Sequence, residues 1–265
     1  MTGQPDLTDV VYEVDDGLAW ITINRPERYN AFRNRTIEEI VDCVKRAWAD
    51  PSVGVLALTG AGDKAFSSGG DVKQRQLTGD YGPSRSGLFE LESMHRVLRD
   101  VPKPVIAAVN GLAIGGGHVL HLLCDLTIAS DNARFGQVGP NVGSFDAGFG
   151  TAYLVRVVGE KRARQIWYLC EQYDAHTALD WGLVNAVVPL AELRPEVRRW
   201  ADGMLSKSPT ALKVLKHSFN AASEAIAGRA QLALDTLDLY MATDEAGEGV
   251  AAFTERRPPR FSGYR

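Results

Sequence analysis

Nine of the 40 residues from Gly111 to Gly150 are glycine, about a third of the 26 glycines in the whole chain. Glycine weakens regular structure through its backbone entropy but reaches positive φ and allows close backbone approach, so such density confines a segment to turns, helix starts and crossings. A smaller cluster, Gly60, Gly62, Gly69 and Gly70, precedes it. Each cluster follows a short apolar run that reads as a buried strand, Val53–Thr59 in one case and Pro104–Asn110 in the other. The chain must therefore leave buried strands repeatedly through glycine.

The remaining punctuation fits mixed α/β structure. Val10–Val14 and Leu18–Asn24 alternate around Asp15-Asp16-Gly17, which predicts a hairpin. Thr36-Ile37-Glu38-Glu39 reads as a capping box, with the Thr36 hydroxyl and the Glu39 carboxylate each meeting a free helix amide. Asp125–Ser130 is a further strand. Helical periods follow over Lys161–Cys170, Leu193–Leu205, Ala211–Ala222 and Gln231–Met241. Residues 72–88 are polar, lack a period and read as a mobile surface loop serving as a lid.

Composition narrows the function. With 29 basic and 33 acidic side chains in 265 residues, the formal charge of −4 argues against nucleic acid as a partner. No apolar run is long enough for a membrane helix, and MTGQPDLTDVVYEV lacks the basic and apolar regions of a secretory signal. Cys43, Cys124 and Cys170, odd in number and far apart, predict reduced thiols in a cytoplasmic protein.

Three chemical motifs compete. Gly60-Ala61-Gly62-Asp63-Lys64-Ala65 has the spacing of a dinucleotide fingerprint, but Phe66-Ser67-Ser68-Gly69-Gly70 is a poor helix start. His118, His121 and Cys124 share a helical face, yet no fourth ligand is evident, so two satisfied core histidines are expected and no metal. No G-x-S-x-G elbow supports a serine hydrolase. The productive pair is Ser68-Gly69-Gly70-Asp71 and Gly115-Gly116-Gly117-His118, the second leading into an apolar helix. Two such segments can aim backbone N–H groups at one carbonyl oxygen, forming an oxyanion hole, and a helix N-terminus adds positive potential there.

The segments 60–71 (GAGDKAFSSGGD), 103–117 (KPVIAAVNGLAIGGG) and 124–137 (CDLTIASDNARFGQ) resemble the crotonase, or enoyl-CoA hydratase, superfamily, and the similarity runs from about Val11 to Phe261. The resemblance implies an α/β spiral of ββα units over 1–190 with a helical trimerisation region over 191–265. It also implies an acyl-CoA thioester as substrate, coenzyme A bound only as part of that substrate, and a homotrimer or homohexamer. The oxyanion-hole amides map to Gly70 and Gly116. The two glutamates that hydratases of this family use fall at Val119 and Gly139, so plain hydration lacks its acid and base.

GQVGPNVGSFDAGFG (136–150), VGEKRARQIWYLC (158–170) and GGGHVLH (115–121) are similar instead to the 1,4-dihydroxy-2-naphthoyl-CoA synthases and their sister 2-ketocyclohexanecarboxyl-CoA hydrolases, which close and open rings. This likeness makes Asp146 the acidic catalytic residue with Ser144 beside it, and adds Tyr81 from a lid segment shifted by an insertion. It maps bicarbonate, or a substrate carboxylate, to Gln137 and Trp167. Lys73 and Arg75 match basic residues that contact the CoA ester; Ala31, Ser68, Gly69, Asp71 and Val72 match positions that grip adenine and pantetheine. Phe253 and Arg256 match a site reaching CoA from a neighbouring subunit. Two departures stand against the synthase pattern: Met241 occupies the place of a catalytic tyrosine, with Tyr240 expected to point elsewhere, and Val138 replaces a threonine. Ring closure, ring opening, general hydratase or isomerase activity, and a catalytically silent CoA-binding protein all remain open at this level.

Overall fold

A computed structural model describes residues 7–264; residues 1–6, on which part of the expectation about a secretory signal falls, and Arg265 lie outside the described residues. The chain opens with the expected hairpin, β1 (Val10–Asp15) against β2 (Leu18–Ile23). Asp16 and Gly17 both take positive φ, 40° and 83°, as the tight two-residue turn requires. After α1 (Asn34–Ala49) the chain repeats one pattern: a buried strand, a short strand and a helix. The turns are β3 (Val55–Gly60), β4 (Ala65–Ser67), α2 (Val72–Thr78) and α3 (Leu91–Asp100); then β5 (Val105–Val109), β6 (Leu112–Ile114) and α4 (Gly116–Leu123). The third comprises β7 (Leu126–Ser130), β8 (Arg134–Gly136), α5 (Phe149–Val158) and α6 (Glu160–Leu169). Next come β9 (Gln172–Asp174), α7 (Ala175–Asp180), β10 (Ala186–Val188), and the helices α8 (Leu193–Leu205), α9 (Pro209–Ala221), α10 (Glu224–Met241) and α11 (Asp244–Glu255).

The five long strands and the short β10 form one sheet in the order β1-β2-β3-β5-β7-β10, parallel except for the opening hairpin. The short strands form a second sheet, β4-β6-β8-β9. Each ββα turn thus visits both sheets, the α/β spiral the resemblance implied. Strand side chains alternate between two buried faces. Leu56, Leu58, Ala107 and Val109 face α1 and the main core, whereas Val55, Ala57, Ile106 and Ala108 face Leu193, Val197 and Ala201 of α8. Burial on both faces explains the unbroken apolar runs in the sequence.

The N-terminal polar residues hold the spiral's first turn. The capping expectation at Thr36–Glu39 is corrected in register: α1 starts two residues before Thr36, whose hydroxyl accepts from Arg33 N (3.2 Å). The Glu39 carboxylate caps no helix and instead accepts from the amides of Thr8, Asp9 and Val10 at 2.7–3.0 Å, tying β1 to α1. Asp9 takes Arg33 Nε at 2.8 Å and the Thr36 hydroxyl at 2.6 Å. Arg25 lies between Asp9 (3.6 Å) and Asp71 (2.9 Å). Residues 72–88 are also corrected: Val72–Thr78 is helical because Asp71 caps it through Gln74 N (3.1 Å) and Gly79, φ 81°, ends it.

No helix of the described residues is long and apolar enough to cross a membrane. Cys43, Cys124 and Cys170 are free thiols, and burial pushes Cys43 up to about 12. Val214, Leu215 and Phe219 on α9 and Leu232 and Leu239 on α10 are 53–75% exposed.

Burial alone would raise the Asp9 carboxyl, but the Arg33 hydrogen bond, the Thr36 hydroxyl and the charges of Arg33 and Arg25 outweigh it and hold the group below its ordinary 3.8. A carboxyl depressed on folding contributes stability above its unfolded pKa and loses it as pH falls toward the folded value. The stability gap between wild type and Asp9→Asn in urea titrations is therefore expected to be widest near pH 6 and to close below about pH 4.

Candidate active site

The two glycine-rich segments meet. β4 ends at Ser67, and Gly69 turns the chain with φ 87°. Phe32 N donates to Gly69 O (2.8 Å) and Asp71 N to Phe32 O (2.9 Å), a parallel bridge that places the Gly70 amide on the opposite side, toward a cavity. From the neighbouring strand, β6 ends at Ile114, Gly115 turns with φ 57°, and α4 begins at Gly116. As the first residue of a helix, Gly116 has an amide with no intrahelical acceptor. Contact between the segments depends on missing side chains. A Cβ on Gly69 would lie 2.8 Å from Gly116 N, one on Gly117 2.0 Å from Ser67 O, and one on Gly116 2.5 Å from Phe32 Cζ.

Gly70 and Gly116 line a cavity of about 110 Å³ together with Ser68, Val72, Arg75, Tyr81, Gln137, Ser144, Asp146 and Trp167. Ten of the sixteen residues singled out in the sequence thus line the cavity. Tyr81 lies over Gly70, within 2.7 Å of where a Cβ would stand, and stacks on Phe89 at 4.5 Å. Asp146 is half-buried; its Oδ1 accepts from the amides of Gly148 (3.0 Å) and Gly150 (2.9 Å) at the start of α5. Trp167 Nε1 donates to Gly150 O at a long 3.4 Å. Arg75 is buried yet forms no ion pair among the described residues.

The remaining marked residues do not line the cavity. Gly69 shapes the turn beneath it. Ala31 is buried and its carbonyl accepts from Arg25 Nη1; Asp71 is occupied by Arg25 and by capping α2. Lys73 is exposed. Phe253 is 48% exposed on α11, and Arg256 follows it with φ 54°. Met241 and Tyr240 also stay outside the lining, Tyr240 packing against Phe145 of the cavity wall with ring centroids 5.4 Å apart.

The two positions without glutamate differ physically. Val119 is buried, and a Cβ on Gly150 would meet both its Cγ2 (3.0 Å) and Asp146 Cγ (2.9 Å). The Asp146 carboxyl thus stands beside the Val119 side chain. At Gly139 a Cβ would lie 2.6 Å from Ser144 O, so no larger side chain fits without backbone movement.

His118 and His121 are core residues behind the glycine turn, ring centroids 4.8 Å apart. Burial pushes His118 down to about 3 and His121 well below its ordinary value, so both are uncharged at neutral pH. Each Nδ1 has a neighbour, Gln137 at 3.4 Å for His118 and Thr127 at 3.2 Å for His121, but neither Nε2 has one among the described residues. They are therefore only half satisfied, a correction to the expected pair. Gly60-Ala61-Gly62 leads into strand β4 rather than a helix, which removes the dinucleotide reading.

Two contributions escaped the sequence reading. His95 of α3 lines the cavity, four residues after Leu91 on the same face. Ala230, Ala233, Leu234 and Leu237 of α10 close the apolar end. Their i, i+3, i+4, i+7 spacing was a legible stripe, but spacing alone does not say what a stripe covers.

An enoyl-CoA hydratase/isomerase family model matches residues 13–264. Similar solved structures include an enoyl-CoA hydratase from Mycobacterium avium subsp. paratuberculosis K-10, 32% identical with a TM-score of 0.85, covering 97% of this chain and 100% of that one. A carnitinyl-CoA hydratase from Mycobacterium avium is 30% identical, TM-score 0.85, covering 96% and 98%. An enoyl-CoA hydratase from Bacillus anthracis is 28% identical, TM-score 0.75, covering 97% and 100%.

Gly69→Ala is expected to lose about 2 kcal/mol in urea unfolding, since it combines left-handed strain with a contact against Gly116 N. Gly79→Ala, at φ 81° with no atom near its Cβ, carries the strain alone and should lose about half as much.

Proposed function

The chain belongs to the enoyl-CoA hydratase/isomerase family, the crotonases, and from that premise we propose that it makes or breaks a ring C–C bond through the enolate of a CoA thioester. The family makes it an acyl-CoA enzyme; the ring chemistry is the further step. One observation carries it: both hydratase glutamates are absent, Gly139 has no room for one, and the Asp146 carboxylate stands in the cavity beside Val119. Addition of water to an enoyl thioester needs a paired acid and base that these positions do not supply.

In this reading the thioester oxygen accepts from the Gly70 and Gly116 amides. Loss of a proton from the α-carbon leaves an electron pair that moves onto that oxygen, and the enolate closes a ring by attacking a side-chain carboxyl carbon with loss of water. In the opening direction water first adds to the ring ketone, and cleavage of that carbon's bond to the α-carbon releases a carboxyl group and the same enolate. Donors fixed before the charge develops need no reorganisation, which is why such sites commonly contribute 10²–10³ in rate per donor. Asp146, oriented by the Gly148 and Gly150 amides, moves or positions the proton through its other oxygen, with Ser144 beside it. Tyr81 shields the hole from water. Arg75, buried and without an ion pair among the described residues, supports an anionic group on the substrate, because an uncompensated buried guanidinium is costly. Gln137 and Trp167 offer N–H groups on the same cavity and fit a carboxylate or bicarbonate, the Trp167 bond to Gly150 O being long enough to yield. Phe253 and Arg256, exposed and away from their own cavity, suit contact with CoA bound by a neighbouring copy.

General hydratase activity is the second reading, favoured by the names of the similar structures. The experiment is turnover of 2-succinylbenzoyl-CoA, 2-ketocyclohexanecarboxyl-CoA and crotonyl-CoA followed by mass spectrometry. One of the first two should react, and Asp146→Asn should lower its kcat by about 10²–10⁴ with little change in KM. Hydration of crotonyl-CoA alone would replace this reading with the second.

The exposed apolar side chains on α9 and α10 support a homotrimer or a pair of trimers. Light scattering should give three or six times the 28.8 kDa chain mass, and Phe219→Asp with Leu239→Asp should lower it.

A further inference from the structure

The cavity holds a buried polar side chain that the chemistry above does not use. His95 lies on α3, is 2% exposed and lines the cavity. Its Nε2 is buried with no hydrogen-bond partner among the described residues. Its ring stands edge-on to Phe149, centroids 5.8 Å apart and planes at 88°. Burial lowers its pKa against the opposing charges of Asp146 and Glu92, so the imidazole is neutral at physiological pH.

Phe149 packs against the His95 ring, and Phe89, Leu91, Ala230 and Leu234 are among the apolar residues of the same cavity; Asp146 is a charged group of the lining that acts on His95. A buried polar nitrogen left without a partner is destabilising, because it has given up its bond to water for none in the protein. A plain hydrocarbon acyl group would leave that cost in place and exclude the water that could relieve it. An acyl group bearing an oxygen at that depth would remove it, because a neutral imidazole can donate to a carbonyl or accept from a hydroxyl. Sites built to hydrogen-bond a substrate oxygen discriminate strongly against analogues lacking it, since the protein group is then stranded.

We propose that His95 is a specificity residue that hydrogen-bonds an oxygen on the acyl part of the substrate, beyond the thioester, and so selects oxygenated acyl-CoA esters over their hydrocarbon counterparts. The assignment rests on the acyl-CoA reading above but not on ring closure or opening. It also differs from the roles of Asp146 and Arg75, which concern protons and anions.

Calorimetry with two ester pairs tests it: 2-ketocyclohexanecarboxyl-CoA against cyclohexanecarboxyl-CoA, and 2-succinylbenzoyl-CoA against benzoyl-CoA. Wild type should bind the oxygenated member of at least one pair about tenfold more tightly. His95→Leu should bring that ratio to within about twofold, chiefly by weakening the oxygenated ester while the hydrocarbon ester keeps its affinity. If His95→Leu loses its cooperative thermal transition, His95→Phe, which fills the ring's volume, is read by the same criterion. A ratio unchanged in the variant, or no preference in wild type for either pair, overturns the assignment while leaving the acyl-CoA reading intact. Failure of all four esters to bind wild type overturns that reading and this one with it.

Discussion

The site depends on two backbones approaching more closely than side chains permit. Gly117 sits against the Ser67 carbonyl and Gly69 against the Gly116 amide, at separations where a Cβ would fall 2.0 and 2.8 Å from its neighbour. These contacts join the end of β4 to the start of α4, elements from successive turns of the spiral. They also leave the Gly70 and Gly116 amides facing one cavity. The parallel sheets provide the frame: β4 and β6 pair directly, so their C-terminal ends lie side by side and the segments leaving them emerge together. Ligand sites at the carboxyl ends of parallel strands are a general outcome of this geometry.

Buried charge then fixes the outer wall. Arg25 links Asp9 to Asp71, Asp71 caps α2, and α2 carries Val72 and Arg75 onto the cavity. Glu39 anchors the first strand to α1 through three backbone amides. These carboxylates are structural, although Asp71 falls inside a motif that resemblance associates with ligand binding. Arg75 is the counter-case, a buried cation outside the network, and the contrast separates charge that builds the wall from charge that lines the cavity.

The chemistry follows from what this frame lacks as much as from what it holds. A family scaffold with valine and glycine at the glutamate positions keeps the Gly70 and Gly116 amides on the cavity and, in the proposed reading, lacks the paired acid and base. Asp146 supplies a single carboxylate from a different loop, held at the N-terminus of α5 by the Gly148 and Gly150 amides. His95, Arg75, Gln137 and Trp167 add polar groups to an otherwise apolar cavity, a composition suited to an oxygen-bearing acyl group rather than a fatty chain.

The hairpin at Asp16-Gly17, the three buried strands and the four late helices were legible in the sequence because local geometry and periodicity encode them. The convergence of Gly70 and Gly116 on one cavity was legible through glycine motifs that follow buried strands, and Asp146 in its lining through family resemblance. The capping at Thr36 slipped in register because Glu39 found better donors 30 residues away, a competition that no local rule anticipates. The helix at Val72–Thr78 was read as loop because its seven residues lack a period; its cap makes it. His95 and the α10 stripe were invisible as site residues because a side chain on an amphipathic helix declares burial but not its neighbours. By itself, then, the sequence determined the glycine turns, the strands they follow and the loss of the glutamates, all properties of local backbone and residue identity. Only the tertiary structure decided which polar groups converge on one cavity, because that depends on contacts between elements far apart in the chain.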